Sequence, residues 1–463
     1  MRSLKITILV FFILILSYNS SAQEVLTYNQ FMEQLMAFHP VARQADLRVG
    51  QAREGVMAAK GAFDPAIVFD HDQKVLKDKQ YYNYSNVQAN YQTPFAVKLK
   101  AGIDNSAGNY INPELTNGRL GYFGIEMPLL KGLLIDYKRA ELKNAEIFVN
   151  QTEQLKRTFL NNLALEASEM YWDWWGKFRV MSNFSDYQKN AEKRLGLTKI
   201  LFENGDRALI DTVEAATQLQ NVQLLLNQAR LDYYAAGINL GRFMWNKEGM
   251  PYFLSEKIIP DTTAGNILKL ESQLSGGTDL NNHPELKEYQ FKIEGLNVYR
   301  NLKKQSLLPE LNLKANLLSS EASALNFFGN SINENYKFGL GFKVPLLLRE
   351  ARGEYRMADL KVKESVSVLD QKKWEINTKV LAYELERNRL SDQLKLLEKL
   401  IENNEILLNN EDLKFRQGES SLFLINSREN KILETIQKKF ETQVKYNKTM
   451  VKQLWAGGTL MEI

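Results

Sequence analysis

The chain has 463 residues and no cysteine, with 59 Lys and Arg against 55 Asp and Glu, and 44% hydrophobic residues at a mean hydropathy of −0.35. The missing cysteine excludes a disulfide framework, a thiolate metal site, a cysteine nucleophile and lipid attachment through an N-terminal cysteine. With Arg2 and Lys5 set aside in the leader described next, 57 basic groups face 55 acidic ones, too even a balance for a nucleic-acid binder, and no nucleic-acid partner is expected.

Residues 1–22 read as a secretory signal peptide. Arg2 and Lys5 supply its charged start and Ile6 to Leu16 its apolar stretch, with Ser20-Ser21-Ala22 as the small residues before a cut at Gln23. The apolar run is shorter than the roughly 18 to 20 residues that a spanning helix needs. Beyond Gln23 no stretch is long and apolar enough to span as a helix, which leaves a soluble chain or the weaker hydropathy signal of membrane strands.

The rest of the chain is organised by an internal repeat. Phe38-His39-Pro40 opens a helical stretch closed by Asp64-Pro65, and Asn282-His283-Pro284 opens one closed by Leu308-Pro309, with an offset of 244 at both ends. Met127-Pro128-Leu129-Leu130 recurs as Val344-Pro345-Leu346-Leu347, and Tyr137-Lys138-Arg139-Ala140 recurs as Tyr355-Arg356-Met357-Ala358. A third echo pairs Phe202-Glu203-Asn204-Gly205 with Phe415-Arg416-Gln417-Gly418. Echoes kept in one order indicate a duplicated unit. The expected division is residues 23–245 for the first repeat, 246–281 for an inter-repeat linker and 282–463 for the second repeat.

Each repeat reads as helix, strands, very long helix, turn, helix. Asp136 to Asn204 holds no proline, and Leu155, Phe159, Leu163, Ala167, Met170 and Trp174 step by three or four along one helix face. Such a helix would be on the order of 100 Å long. Leu348 to Gln417 gives the second repeat the same reach, and each long helix should stop at a glycine, Gly205 or Gly418. New helices then run to about Met244 and Trp455.

The strand segments lie between the prolines. Leu311, Leu313, Ala315 and Leu317 alternate with Asn312, Lys314 and Asn316, and Tyr336 to Val344 alternates likewise. In the first repeat, Val87, Ala89 and Tyr91 alternate with polar residues, as do Val97, Leu99, Ala101 and Ile103. One apolar and one polar face suit either a half-buried soluble sheet or a barrel with lipid outside and water inside. The flanking helices are too long to fold back over the strands, so the apolar face and the sheet edges need cover from outside the chain. Two strands per repeat give four. Pro65 and Pro128 stand 63 positions apart and Pro309 and Pro345 only 36, and the 27 extra positions allow one further hairpin and six strands.

These residues resemble the TolC family of outer-membrane efflux channels, through the His-Pro helix starts, the Met-Pro-Leu-Leu and Val-Pro-Leu-Leu strand ends, the long-helix starts and the two Phe-x-x-Gly turns. The resemblance covers nearly all of the chain after the leader. It implies a mainly α fold with a transmembrane β-barrel segment, in which an α-helical barrel and a β-barrel form by trimerisation. It also implies a passive channel in the outer membrane that extends into the periplasm, and as partners further copies of the chain, a periplasmic adaptor, an inner-membrane pump and outer-membrane lipid. The linker would contribute to an equatorial belt. Gly205, Leu209, Asp211, Gly418 and Leu422 would form the periplasmic tip that docks the adaptor, and Leu424 and Ser427 the entrance constriction. The family often carries acids near that entrance; here Asp211 fits in the first repeat, while Leu424 and Ser427 stand in the second, so an uncharged constriction is expected unless Glu419 or Glu429 substitutes. Lys98, Lys100 and Lys314 would face the lumen. A soluble periplasmic coiled-coil adaptor is the alternative and calls for a single helical hairpin in a compact Gly-rich β-domain.

Other signals are weaker. The three histidines, His39, His71 and His283, show no metal-binding spacing, and His39 and His283 read as helix-start residues before proline. No carboxylate pair stands out, so neither an enzyme nor a cofactor or metal is expected. Tyr171-Trp172-Asp173-Trp174-Trp175 reads as packing midway along the first long helix rather than as a stacking site for a ligand.

Overall fold

The computed structural model describes residues 24–108, 110, 115–255, 257–263, 280–320 and 335–462. The leader and part of the linker lie outside the described residues. In chain order come β1 (Glu24–Leu26), α1 (Tyr28–Phe38), α2 (Pro40–Gly61), β2 (Ala66–Leu76), β3 (Lys79–Gln92), β4 (Lys98–Ala107) and β5 (Gly118–Pro128). The long helices α3 (Tyr137–Glu203) and α4 (Leu209–Leu240) follow, then β6 (Ile258–Pro260) in the linker. The second repeat supplies α5 (Pro284–Gln305), β7 (Glu310–Ser319), β8 (Tyr336–Lys343), α6 (Arg349–Arg416) and α7 (Leu422–Ala456).

The helix boundaries follow local chemistry. Pro40 and Pro284 are the first residues of α2 and α5, where the missing N–H costs nothing and the fixed φ is already helical. α3 has 67 residues and α6 has 68, and the turn after each is the same. Gly205 and Gly418 take φ of +83° and +82°. The Asp206 amide bonds back to the Leu201 carbonyl and the Gly205 amide to Phe202, while Glu419 bonds to Lys414 and Gly418 to Phe415. These paired bonds satisfy the last helical carbonyls and close the helix with a left-handed residue. Two long hairpins in two strand-bearing repeats depart from the single hairpin of the adaptor alternative.

The chain separates into two compact units, one made of the residues up to Ala45 with Arg157–His283 and Glu375 onward, the other of Asp46–Lys156 with Pro284–Trp374. The first unit is held by an aromatic core. Trp172, Trp174 and Tyr171 are all at most 2% exposed and pack with Tyr28, Phe31, Tyr233 and Met450. Tyr28 stacks on Trp172 with centroids 5.4 Å apart, and Trp174 on Tyr233 at 6.2 Å. β1 pairs in parallel with β6 beside this core. The Tyr171 hydroxyl donates to the Leu26 carbonyl at 2.9 Å, and the Trp175 indole N–H donates to the Asp261 carbonyl at 3.1 Å. The aromatic run therefore packs, and it pins the start of the chain and part of the linker to the long helix.

The second unit carries one six-stranded antiparallel sheet in the order β2-β3-β4-β5-β7-β8. Among the described residues, four strands come from the first repeat and two from the second, so the extra 27 positions are spent on a hairpin and the count of six replaces four. Lys77 and Asp78 form the two-residue turn between β2 and β3, both with positive φ, the geometry that matches strand twist in a tight hairpin. In the same unit, Ala140, Ile147 and Val298 form a small core between α3 and α5.

Candidate functional site

Two places carry the functional expectations, the faces of the sheet and the helix turns. Residues directly opposite in an antiparallel ladder share a face, so the register assigns every strand residue. Leu99 stands opposite Ile125, and Leu313 opposite both Met127 and Leu340. This apolar face is bare within the chain: Ile67 is 81% exposed, Phe69 65% and Leu340 59%. An uncovered apolar surface of this extent marks contact with another protein or with lipid. Among the described residues, no helix is long and apolar enough to cross a membrane.

Lys98, Lys100 and Lys314 fall together on the opposite face. Glu126, which the sequence reading did not single out, sits among them: it is opposite both Lys98 and Lys314 in register, takes Lys100 at 2.7 Å and has Lys314 at 3.6 Å. Further along the same face Asp104 accepts from Tyr84 at 3.0 Å and also from Asn86. Tyr122 lies across Gly102 to donate to Gln88 at 2.6 Å and accept from Asn86 at 3.0 Å. A Cβ on Gly102 would stand 2.6 Å from the Tyr122 hydroxyl, so this crossing needs the bare backbone there. The polar face thus carries two linked clusters of side chains, one around Glu126 and one around Asp104 and Tyr122.

At the turns, Leu209, Ile210 and Val213 of α4 are 61%, 68% and 52% exposed, and Asp211 lies in the first turn of that helix, where its charge suits the N-terminal dipole. Leu422 does not match Leu209. It is 1% exposed, so the role of docking residue given to it is corrected: packing inside the chain removes it from any partner, and the neighbouring Phe423, 66% exposed, holds the outward position. Leu424 and Ser427 are exposed. Glu429 is buried and forms a two-pronged ion pair with Arg194 of α3, so it is not available to line an entrance. Glu419 is exposed. Arg207 reaches from the first turn to the second, stacking over Phe415 at 3.9 Å and donating to its carbonyl at 2.8 Å, where a cation also complements the end of α6.

His39 is buried, stacked on Phe243 at 5.9 Å, and its Nδ1 accepts from the Val41 amide at 3.3 Å. It caps the start of α2 as a neutral ring, and burial holds its pKa below the ordinary value. Among the described residues no cluster of histidines and carboxylates has the makings of a metal site.

The family profile described as outer membrane efflux protein matches residues 278–426, from just ahead of α5 into α7. Comparison with curated proteins gives no match. Solved structures similar to this one include the CmeC outer membrane channel of Campylobacter jejuni, at a TM-score of 0.60 and 12% identity over 93% of this chain and 85% of that one. The outer membrane protein VceC of Vibrio cholerae matches at 0.60 and 12%, over 93% and 95% of the two chains. The open state of the Neisseria gonorrhoeae MtrE outer membrane channel matches at 0.60 and 13%, over 93% and 89%. Likeness at these identities establishes a shared fold.

Proposed function

We propose that this chain, which has the fold of outer-membrane channels and carries an outer membrane efflux protein domain at residues 278–426, is a passive export conduit of the outer membrane, assembled as a homotrimer. The observation that carries this reading is the sheet. Its apolar face is uncovered, its polar face carries the two linked clusters, and β2 and β8 are its two free edges. Six strands are fewer than the roughly eight of the smallest closed barrels, and a membrane-spanning sheet must close to satisfy its backbone groups. Five successive antiparallel pairings leave β2 and β8 running in opposite directions, so β8 of one copy can pair antiparallel with β2 of the next. Three copies then give eighteen strands.

The long helices extend into the periplasm, and the turns at Gly205 and Gly418 meet an adaptor and, through it, an inner-membrane pump that selects the cargo. Leu209, Asp211 and Phe423 form the docking surface. Apolar packing of Leu424 beside Ser427 narrows the entrance. Cell fractionation followed by mass determination in detergent tests the assembly. The expected result is an outer-membrane protein of three chains, and recovery as a soluble periplasmic monomer would end the channel reading.

A further inference from the structure

We propose that the polar face of the sheet is an anion-selecting wall, with Lys98, Lys100 and Lys314 as its selecting groups; this rests on the channel reading above. Three ammonium groups share one carboxylate. Lys100 and Lys314 both approach Glu126, and Lys98 is its direct ladder partner. The cluster therefore keeps two uncompensated positive charges per chain.

Of the other acids of that face, Glu310 at the start of β7 is taken by Lys131 at 2.8 Å, and Asp70, Asp72 and Asp104 lie apart from this band. Asp70, Asn86 and Asp104 form one ladder row, and Asp104 lies six residues along β4 from Lys98, about 20 Å at the rise of a strand. Asp104 is moreover engaged by Tyr84 and Asn86. The lysine band lies at the end of the sheet where Ala66, Pro128, Glu310 and Lys343 join the strands to helices, so a solute coming from the helices meets it first.

Width decides how strongly the band is felt. Eighteen strands about 4.8 Å apart and tilted by about 40° give a backbone radius of about 18 Å, and side chains leave about 12 Å free. The Debye length is about 10 Å at 0.1 M salt and about 30 Å at 0.01 M. The potential thus reaches the axis in dilute salt and is confined to the wall in concentrated salt. Small and organic anions are the solutes it favours, and selectivity should fade as salt rises.

Reversal potentials in planar bilayers, with potassium chloride gradients at low and high salt, test this on the full-length assembled protein. Wild type should pass chloride in preference to potassium, more so in dilute salt. Lys98→Gln, Lys100→Gln and Lys314→Gln combined should take the permeability ratio past one toward cations, because Glu126 is left without its lysines. Glu126→Gln should move it the other way, toward anions, which guards against a triple variant that assembles poorly. A wild-type channel that prefers cations, or one whose ratio neither change moves, overturns the lysine band and leaves the channel intact. Correctly assembled protein without conductance would overturn the channel and the band together.

Discussion

A single leucine and a single lysine on neighbouring strands test which solvent each sheet face meets. Leu340 of β8 is exposed on the apolar face, and Lys314 of β7 lies on the other. Leu340→Arg should impair membrane assembly by about 2 to 4 kcal/mol, the cost of a cation near the bilayer midplane, while Lys314→Ala should assemble normally. Heat-stable oligomer yield in the outer-membrane fraction measures both, and equal tolerance would mean that lipid does not cover the sheet. His39 supplies a pH test. Its folded pKa lies below the unfolded value of about 6.5, so the stability it contributes is complete above that pH and declines as pH falls through 6.5 toward the folded value. Melting temperature should drop between pH 7.5 and 5.0, and His39→Gln should flatten that drop. The face assignments of Lys98, Lys100 and Lys314 were legible from alternation alone. Glu126 was not, because its meaning comes from partners on two other strands, one of them in the other repeat. Leu422 misled for a related reason: four positions after a glycine fixes its place along a helix, not which side of that helix another helix covers.

Among the elements, the two long helices were readable nearly to the residue, since each runs without a proline to a closing glycine, whereas α1 was not read from the sequence. β3, β4, β7 and β8 showed their period of two. β5 did not, because Gly118, Gly121 and Gly124 interrupt its pattern, and β2 places Asp70, His71 and Asp72 in mid-strand. β1 and β6 are three residues each, too short for any period. The turns give the prediction that belongs to this scale. A β-branched residue is strained at positive φ, so Gly205→Val and Gly418→Val should each disturb the hairpin end by about 1 to 2 kcal/mol and spare the sheet. Efflux should fall while the amount of trimer stays the same, and variants with full efflux would reduce these glycines to ordinary helix ends.

At the scale of the molecule, the two repeats agree in their helices from α2 and α5 onward and differ in their strands. α2 and α5 each have 22 residues, α3 and α6 have 67 and 68, and α4 and α7 have 32 and 35. From α2 and α5 onward, the disparity among the described residues is a pair of strands. That is the smallest change open to such a sheet: one added strand would deliver the chain to the far rim, and the next helix could not begin where it must. An even insertion brings the chain back to the rim it left, so the following helix keeps its starting point and its sequence need not change. The bore of a barrel built this way can therefore widen only in steps of two strands per chain, six per ring of three, and it can do so with the helices unchanged.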